Sequence, residues 1–125
     1  HLRRGGRLSN ISAVVGTVLQ IKPLLKGDPE GKIVCFAQVR GRKKSIELMA
    51  EQYDRYVEHA ECETIGIAHG DCPEDAEALI ALLNRNHPPK NIINACYEPM
   101  TGAHVGPGAL ALFFYGKKEF RQATK

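Results

Sequence analysis

Three stretches of the sequence could bind an anion, because each concentrates cations or glycines. Arg3–Ser9 (RRGGRLS) places arginines beside a glycine pair and a helix start, where guanidinium groups and free backbone N–H groups both favour negative charge. Val39–Lys44 (VRGRKK) places four cations where a helix begins, although the helix dipole disfavours cations there. Gly102–Gly108 (GAHVGPG) surrounds His104 with glycines, whose backbone can form a nest for an anion. The alternatives are a solvated basic arm, an exposed charged turn and a packed turn histidine.

The pattern around His104 matches none of several familiar sites. Its glycines lack the spacing of a P-loop, and they precede an apolar, strand-like run rather than the helix that follows a dinucleotide fingerprint. No serine or cysteine stands in a recognisable spacing to His104 for nucleophilic catalysis. A zinc site made of Cys62, His69 and Cys72 would fit no standard ligand spacing. We therefore expect no metal and no cofactor.

Composition places the chain among ordinary globular domains. Its 125 residues are enough for one hydrophobic core, and 43% of them are hydrophobic. The net charge of +3 is mild, so we expect no nucleic-acid partner, and no apolar run approaches the roughly 20 residues of a membrane span. The four cysteines form no C-x-x-C pair and are expected as free thiols in a reducing cytoplasm. Because the first residue is His1 rather than Met, we expect a processed chain or a piece of a longer one.

The elements that must position these stretches alternate along the chain. Apolar runs bounded by glycine and proline predict five strands: Leu19–Leu25, Lys32–Val39, Thr64–Gly70, Asn91–Tyr97 and Ala109–Gly116. Apolar residues at helical spacing predict three helices: a short one capped by Ser9 or Asn10 and running through Val18, then Lys43–Ala60 and Asp71–Pro89. The stretch between Glu98 and Gly108 is expected to be irregular. The sum is an α/β fold, a two-layer sandwich of a mixed β-sheet with helices packed on it.

The ordered set of motifs resembles the C-terminal domain of the DegV family, which are bacterial fatty-acid-binding proteins. GGRLS, QIKPLL, GKI, VRGRKK and HVGPGALALFFYG occur in that order, and the resemblance runs from Gly5 to Tyr115. It implies that residues 1–125 are a single α/β domain, the C-terminal half of a longer two-domain chain. The N-terminal domain, whose serine- and threonine-rich motifs hold the ligand carboxylate in that family, is absent from this sequence.

The resemblance also implies a function and the residues that perform it. A long-chain fatty acid is bound, and its carboxylate is presented to a separate fatty acid kinase that makes acyl phosphate for phospholipid synthesis. The protein is then a non-catalytic carrier. By position in the motifs, Arg7 and His104 are expected near the carboxylate or at the mouth that faces the kinase. Arg40, Arg42 and Lys43 are expected either to contact that partner or to support the turn.

An acyl chain requires an apolar lining, and each buried methylene contributes about 0.8 kcal/mol. We expect the lining to come from the first predicted helix and the last strand: Ile11, Val14, Val15, Val18, Leu110 and Phe113. Plain core packing is the alternative for all six, because core and pocket share the same composition.

Two other functions are compatible with the same residues. An enzyme that handles a phosphorylated or carboxylated small molecule could use the glycine loop and the basic residues as an anion site. Nucleic-acid binding through Arg3, Arg4, Arg7 and the VRGRKK cluster is less favoured, because no aromatic residues are interleaved with those cations.

Overall fold

The computed structural model of the chain describes residues 20–122. The predicted first helix lies outside the described residues. So do five of the predicted site residues: Arg7, Ile11, Val14, Val15 and Val18.

The described chain begins with an antiparallel hairpin. Strands β1 (Ile21–Gly27) and β2 (Ile33–Arg40) pair from Ile21 opposite Arg40 to Gly27 opposite Ile33. The turn between them is held by the Asp28 carboxylate, which accepts the backbone N–H groups of Glu30 and Lys32 at 2.9 and 2.8 Å. Short polar side chains favour such turns by bonding backbone two to four residues on. The predicted hairpin is confirmed.

A second, mixed sheet carries the remaining strands. Its centre is β3 (Thr64–His69), with β4 (Asn91–Cys96) parallel on one side and β5 (Leu110–Phe113) antiparallel on the other. Helix α2 (Pro73–Asn86) supplies the crossover that a parallel pair requires. The mixed α/β architecture is therefore as predicted, except that β1 and β2 form a separate two-stranded sheet.

Two long helices cover one face of the mixed sheet. Helix α1 (Arg42–Tyr56) packs against α2, and the core lies between these helices and β3. The largest fully buried side chains come from all three elements: Tyr53, Ile65, Ile67, Leu79 and Leu83. None of the helices between residues 20 and 122 is long and apolar enough to cross a membrane.

The stretch that contains His104 is helical, so the prediction of an irregular segment is wrong. Helix α3 runs over Pro99–Val105, and the Glu98 carboxylate caps it by accepting the N–H groups of Met100 and Thr101 at 2.7 and 2.9 Å. Proline is favourable in a first helical turn because it has no N–H to leave unpaired. His104 therefore lies in the last turn of a short helix, and the glycine loop begins only after it.

A short C-terminal helix, α4 (Glu119–Gln122), connects the hairpin to the rest of the domain. The centre of the Phe120 ring lies 6.0 Å from the ring centre of Phe36 in β2 and 5.0 Å from that of Tyr56 in α1. Lys26 of β1 is only 7% exposed; its ammonium group donates to the Phe120 carbonyl oxygen and lies 4.8 Å from the centre of that ring. Aromatic and cation–π contacts of this kind join elements that share no strand pairing.

Candidate functional site

The glycine loop that follows His104, residues Gly106–Ala109, lies directly against the end of β3. The Gly70 N–H donates to the Ala109 carbonyl at 2.8 Å, and the Gly108 N–H donates to the Gly70 carbonyl at 2.7 Å. A Cβ atom at position 70 would be 2.6 Å from the Gly106 carbonyl oxygen. Gly106 and Gly108 adopt φ values of 82° and 81°, which glycine adopts without strain. These contacts hold the glycine loop in one backbone conformation against the end of β3.

Arg42, the first residue of α1, joins this loop to α2. Its Nε lies 2.8 Å from Asp75 Oδ2, and its Nη2 donates to the Gly108 carbonyl at 2.6 Å. The planar guanidinium holds several N–H donors in a fixed fork, so one side chain can bond both partners at once. The first turn of α1, the first turn of α2 and the glycine loop are therefore held by a single side chain.

Cys72 contacts both Arg42 and the glycine loop. Its thiol donates to the Ala109 carbonyl at 3.4 Å and receives a long contact of 3.7 Å from Arg42 Nη2. Burial raises the pKa of the Cys72 thiol, and the charge of Arg42 opposes that shift only in part. The group stays protonated at neutral pH, which suits a hydrogen-bond donor rather than a nucleophile.

His104 is exposed on α3, one turn after Met100, whose side chain is 75% exposed. Residues four positions apart lie on the same side of a helix, so the two side chains share a face of α3. The imidazole is accessible to a ligand, and it lies two residues before the first glycine of the fixed loop.

On the side of the mixed sheet opposite the core, two neighbouring rows of residues are apolar. Strand register places Ile93, Gly66 and Phe113 in one row across the three strands, and Ala95, Ala68 and Ala111 in the next. We call these six residues the outer face. Ile93 is 63% exposed and Phe113 is 59% exposed. Because adjacent strands lie about 4.8 Å apart, the outer face is about 10 Å wide. None of these six side chains can form a hydrogen bond, whereas Thr64 and Asn91, paired in the next row on the same side of the sheet, are polar and hydrogen-bonded to each other.

The two predicted lining residues of the last strand lie on opposite sides of the sheet. Leu110 packs against the core cluster, whereas Phe113 lies on the outer face against Gly66. The cause is strand geometry, since successive side chains alternate between faces and positions three apart therefore point opposite ways.

The cations of the VRGRKK motif do not all face the solvent. Arg40, at the end of β2, and Lys43, in the first turn of α1, are exposed, whereas Arg42 is turned inward to Asp75 and the glycine loop. A shallow groove of about 390 Å³ beside the exposed cations is lined in part by Gln38, Arg40 and Lys44. The motif thus offers one cation to the interior of the domain and several to its surface.

Sequence reasoning missed the partners of Arg42. The sequence does not single out Asp75, and it predicts Cys72 only as a free thiol. The available signal was the position of Arg42 itself, because a cation at a helix N-terminus is unfavourable unless a partner elsewhere compensates it. Within residues 20–122, no group of three or more histidine, cysteine, aspartate or glutamate side chains could hold a metal ion.

The two layers, the fixed glycine loop and the outer face define a small α/β domain that leaves Ile93 and Phe113 exposed on one side of its mixed sheet. The chain belongs to the DegV family: the family described as "Uncharacterised protein, DegV family" matches residues 1–117. A DegV domain-containing protein of Clostridium perfringens is 40% identical over 116 residues, which are 93% of this chain and 40% of that protein.

Solved structures of the family have the same fold. A DegV family protein from Ruminococcus gnavus, refined with vaccenic acid, superposes with a TM-score of 0.80 at 28% identity, over 89% of this chain and 39% of that one. A fatty acid binding DegV family protein from Streptococcus agalactiae gives a TM-score of 0.75 at 35% identity, over 92% of this chain and 41% of that one. The chain thus spans about two-fifths of the length of these relatives.

Proposed function

We propose that this chain is the C-terminal domain of a two-domain fatty-acid-binding protein, and that a long-chain fatty acid lies against its outer face. The observation that carries the proposal is the exposed apolar row of Ile93, Gly66 and Phe113. Membership of a family whose solved members include fatty acid binding proteins supports it.

The outer face suits a hydrocarbon chain better than a polar ligand. Its six side chains carry no hydrogen-bonding group, and the larger ones, Ile93 and Phe113, flank the small residue Gly66. Each methylene buried there contributes about 0.8 kcal/mol. A patch about 10 Å wide covers only part of a long acyl chain, so the rest of the lining comes from Ile11, Val14, Val15 and Val18 and from the N-terminal domain.

The carboxylate end of the ligand is assigned to His104 and Arg7. An imidazole ring N–H can donate a hydrogen bond to a carboxylate oxygen. His104 is exposed and its helix is capped at both ends, so its backbone position is well defined. Hydroxyl groups of the N-terminal domain would complete the carboxylate site.

The same proposal makes the protein a carrier and not an enzyme. It acts in the cytoplasm and presents the bound carboxylate to a fatty acid kinase, which supplies the ATP chemistry for phospholipid synthesis. Arg40 and Lys43 are the candidates for contact with that kinase, because both are exposed beside the start of α1. Arg42 has its partners within the domain.

Native mass spectrometry of the full-length protein purified from bacteria tests the proposal. A bound mass in the range of fatty acids of about 14 to 18 carbons is expected. A ligand-free mass, together with no uptake of added oleate, would contradict it. Turnover of a phosphorylated or carboxylated metabolite that disappears in His104→Ala would instead favour the alternative of an enzyme with an anion site.

A further inference from the structure

We propose that Arg42 is a positioning residue that sets the acid selectivity of the ligand site by fixing the glycine loop on which His104 depends. The inference rests on the proposed function, since it concerns how His104 meets a carboxylate. Arg42 does not touch the ligand itself. Its role is to hold the backbone on the C-terminal side of α3 in one place.

Arg42 contacts the glycine loop from another element, the start of α1. The guanidinium donates to the Gly108 carbonyl at 2.6 Å and is anchored by Asp75 at 2.8 Å. The same loop residue donates its N–H to Gly70 at 2.7 Å. Gly108 is therefore bonded through both of its backbone polar groups, one to Gly70 directly after β3 and one to Arg42 of α1. Glycine has the largest conformational freedom of any residue, so a loop with glycines at two positive-φ positions needs such external bonds to keep one course.

The loop in turn fixes the end of α3. Gly106 ends that helix, with its N–H bonded to the Gly102 carbonyl at 2.8 Å, and Gly106 lies against Gly70. His104 is in the last turn, which is the part of a helix most dependent on its cap. If the loop is released, the last turn frays, and the imidazole no longer occupies one position relative to the outer face.

This arrangement explains why an arginine stands at the start of α1. The helix dipole disfavours a cation at that position. Bonds to a carboxylate and to a carbonyl outside the helix compensate for that cost. A lysine can form an ion pair with Asp75, but it lacks the planar fork that reaches Asp75 and Gly108 together.

The test compares two ligands that differ only at the head group, oleic acid and oleyl alcohol, bound to the full-length protein. Arg42→Ala is expected to lower the preference for the acid by about tenfold, the value of one charge-assisted hydrogen bond, while the affinity for the alcohol changes by less than about twofold. The double variant with His104→Ala is expected to lose no more acid preference than His104→Ala alone. Arg42→Lys is expected to recover only part of the preference.

Control variants separate this role from a general loss of stability. Lys32→Ala removes an exposed ion pair with Glu30 in the hairpin turn and is expected to leave both affinities unchanged. An equal loss of affinity for acid and alcohol in Arg42→Ala would show a merely structural role. Additive losses in the double variant would show that Arg42 does not act through His104. Either result overturns the proposal.

Amide hydrogen exchange provides a measurement that needs no ligand and covers the case in which Arg42→Ala does not fold. Asp75→Asn keeps the shape of the anchor but removes its charge. The Gly108 amide is expected to exchange about tenfold faster in this variant, while the amides of β3 are unchanged. Unchanged exchange at Gly108 overturns the positioning role. If the wild-type protein binds neither oleic acid nor oleyl alcohol, the proposed function fails and the acid selectivity with it, whereas the exchange experiment still decides whether Arg42 fixes the glycine loop.

Discussion

Gly70 and Gly106 approach each other so closely that a Cβ atom on the first would lie 2.6 Å from the carbonyl oxygen of the second. The obstacle is backbone, which cannot move aside as a flexible side chain can. Two hydrogen bonds between Gly70 and the loop residues Gly108 and Ala109 depend on this approach.

Gly70→Ala is therefore expected to push the glycine loop away from β3. The cost to the free energy of unfolding is about 1–3 kcal/mol, as for other insertions of a methyl group into a packed site. Urea unfolding followed by circular dichroism measures it. Gly27→Ala is the matched control, because a Cβ at Gly27 would meet no heavy atom within 4 Å. A loss in Gly27→Ala as large as in Gly70→Ala would contradict the steric explanation.

Cysteine reactivity tests whether Cys72 is buried where it contacts Arg42 and the glycine loop. Cys62 and Cys96 are exposed, whereas Cys72 is buried and its thiol pKa is raised by that burial. Since the thiolate is the reactive form, iodoacetamide at neutral pH should modify Cys62 and Cys96 first and leave Cys72 protected. Peptide mass spectrometry at timed intervals follows the reaction. In urea, Cys72 should lose this protection; comparable labelling of Cys72 in the folded protein would contradict its assigned burial.

The sequence was sufficient to predict what depends on local pattern. Five strands, the hairpin and both long helices follow from periodicity and from turn residues such as Pro29 and Gly31. Helix α3 was missed because it spans only Pro99–Val105 and its cap is Glu98, which is not among the usual capping residues.

Long-range geometry could not be predicted in the same way. The pairing of Arg42 with Asp75 joins residues 33 positions apart, and no periodic signal connects them. The outer face likewise depends on the relative register of three strands, because a shift of one residue would move Phe113 to the core side. The resemblance of the motifs predicts His104 as a site residue, but the contacts that fix the loop after its helix can be seen only in the fold.

The buried amine of Lys26 makes stability depend on pH. Burial lowers the pKa of Lys26, so the folded protein binds this proton more weakly than the unfolded chain does. The unfavourable contribution of Lys26 is complete below the lowered pKa and disappears as the pH rises through it towards the ordinary lysine value. The free energy of unfolding attributable to this residue should thus rise with pH, by at most about 1.4 kcal/mol per pH unit.

The measurement is the difference in unfolding free energy between the wild-type protein and Lys26→Met, from neutral pH to about pH 10. Taking the difference removes the contributions of the tyrosines and cysteines, which both proteins share. The wild-type protein should gain stability relative to the variant as the pH rises. A difference that stays flat or falls would contradict the lowered pKa.

Neighbouring residues of β5 offer a matched pair that separates folding from ligand binding. Leu112 packs against the core, whereas Phe113 is 59% exposed on the outer face. Leu112→Ser should lower the free energy of unfolding by about 2–4 kcal/mol, because it leaves a cavity and buries a hydroxyl. Phe113→Ser should cost less than about 1 kcal/mol, since most of that side chain is already in contact with water.

Of the two variants Leu112→Ser and Phe113→Ser, the second costs less stability but is expected to have the larger effect on lipid affinity. Under the proposed function, Phe113→Ser removes apolar area from the outer face and should weaken oleate binding by the full-length protein about tenfold, since some 1.4 kcal/mol of lost apolar contact corresponds to that factor. The loss should be equal for oleic acid and oleyl alcohol, because Phe113 contacts the hydrocarbon and not the head group. Titration calorimetry with both ligands provides the test. Unchanged affinity in Phe113→Ser would show that the acyl chain does not lie on the outer face.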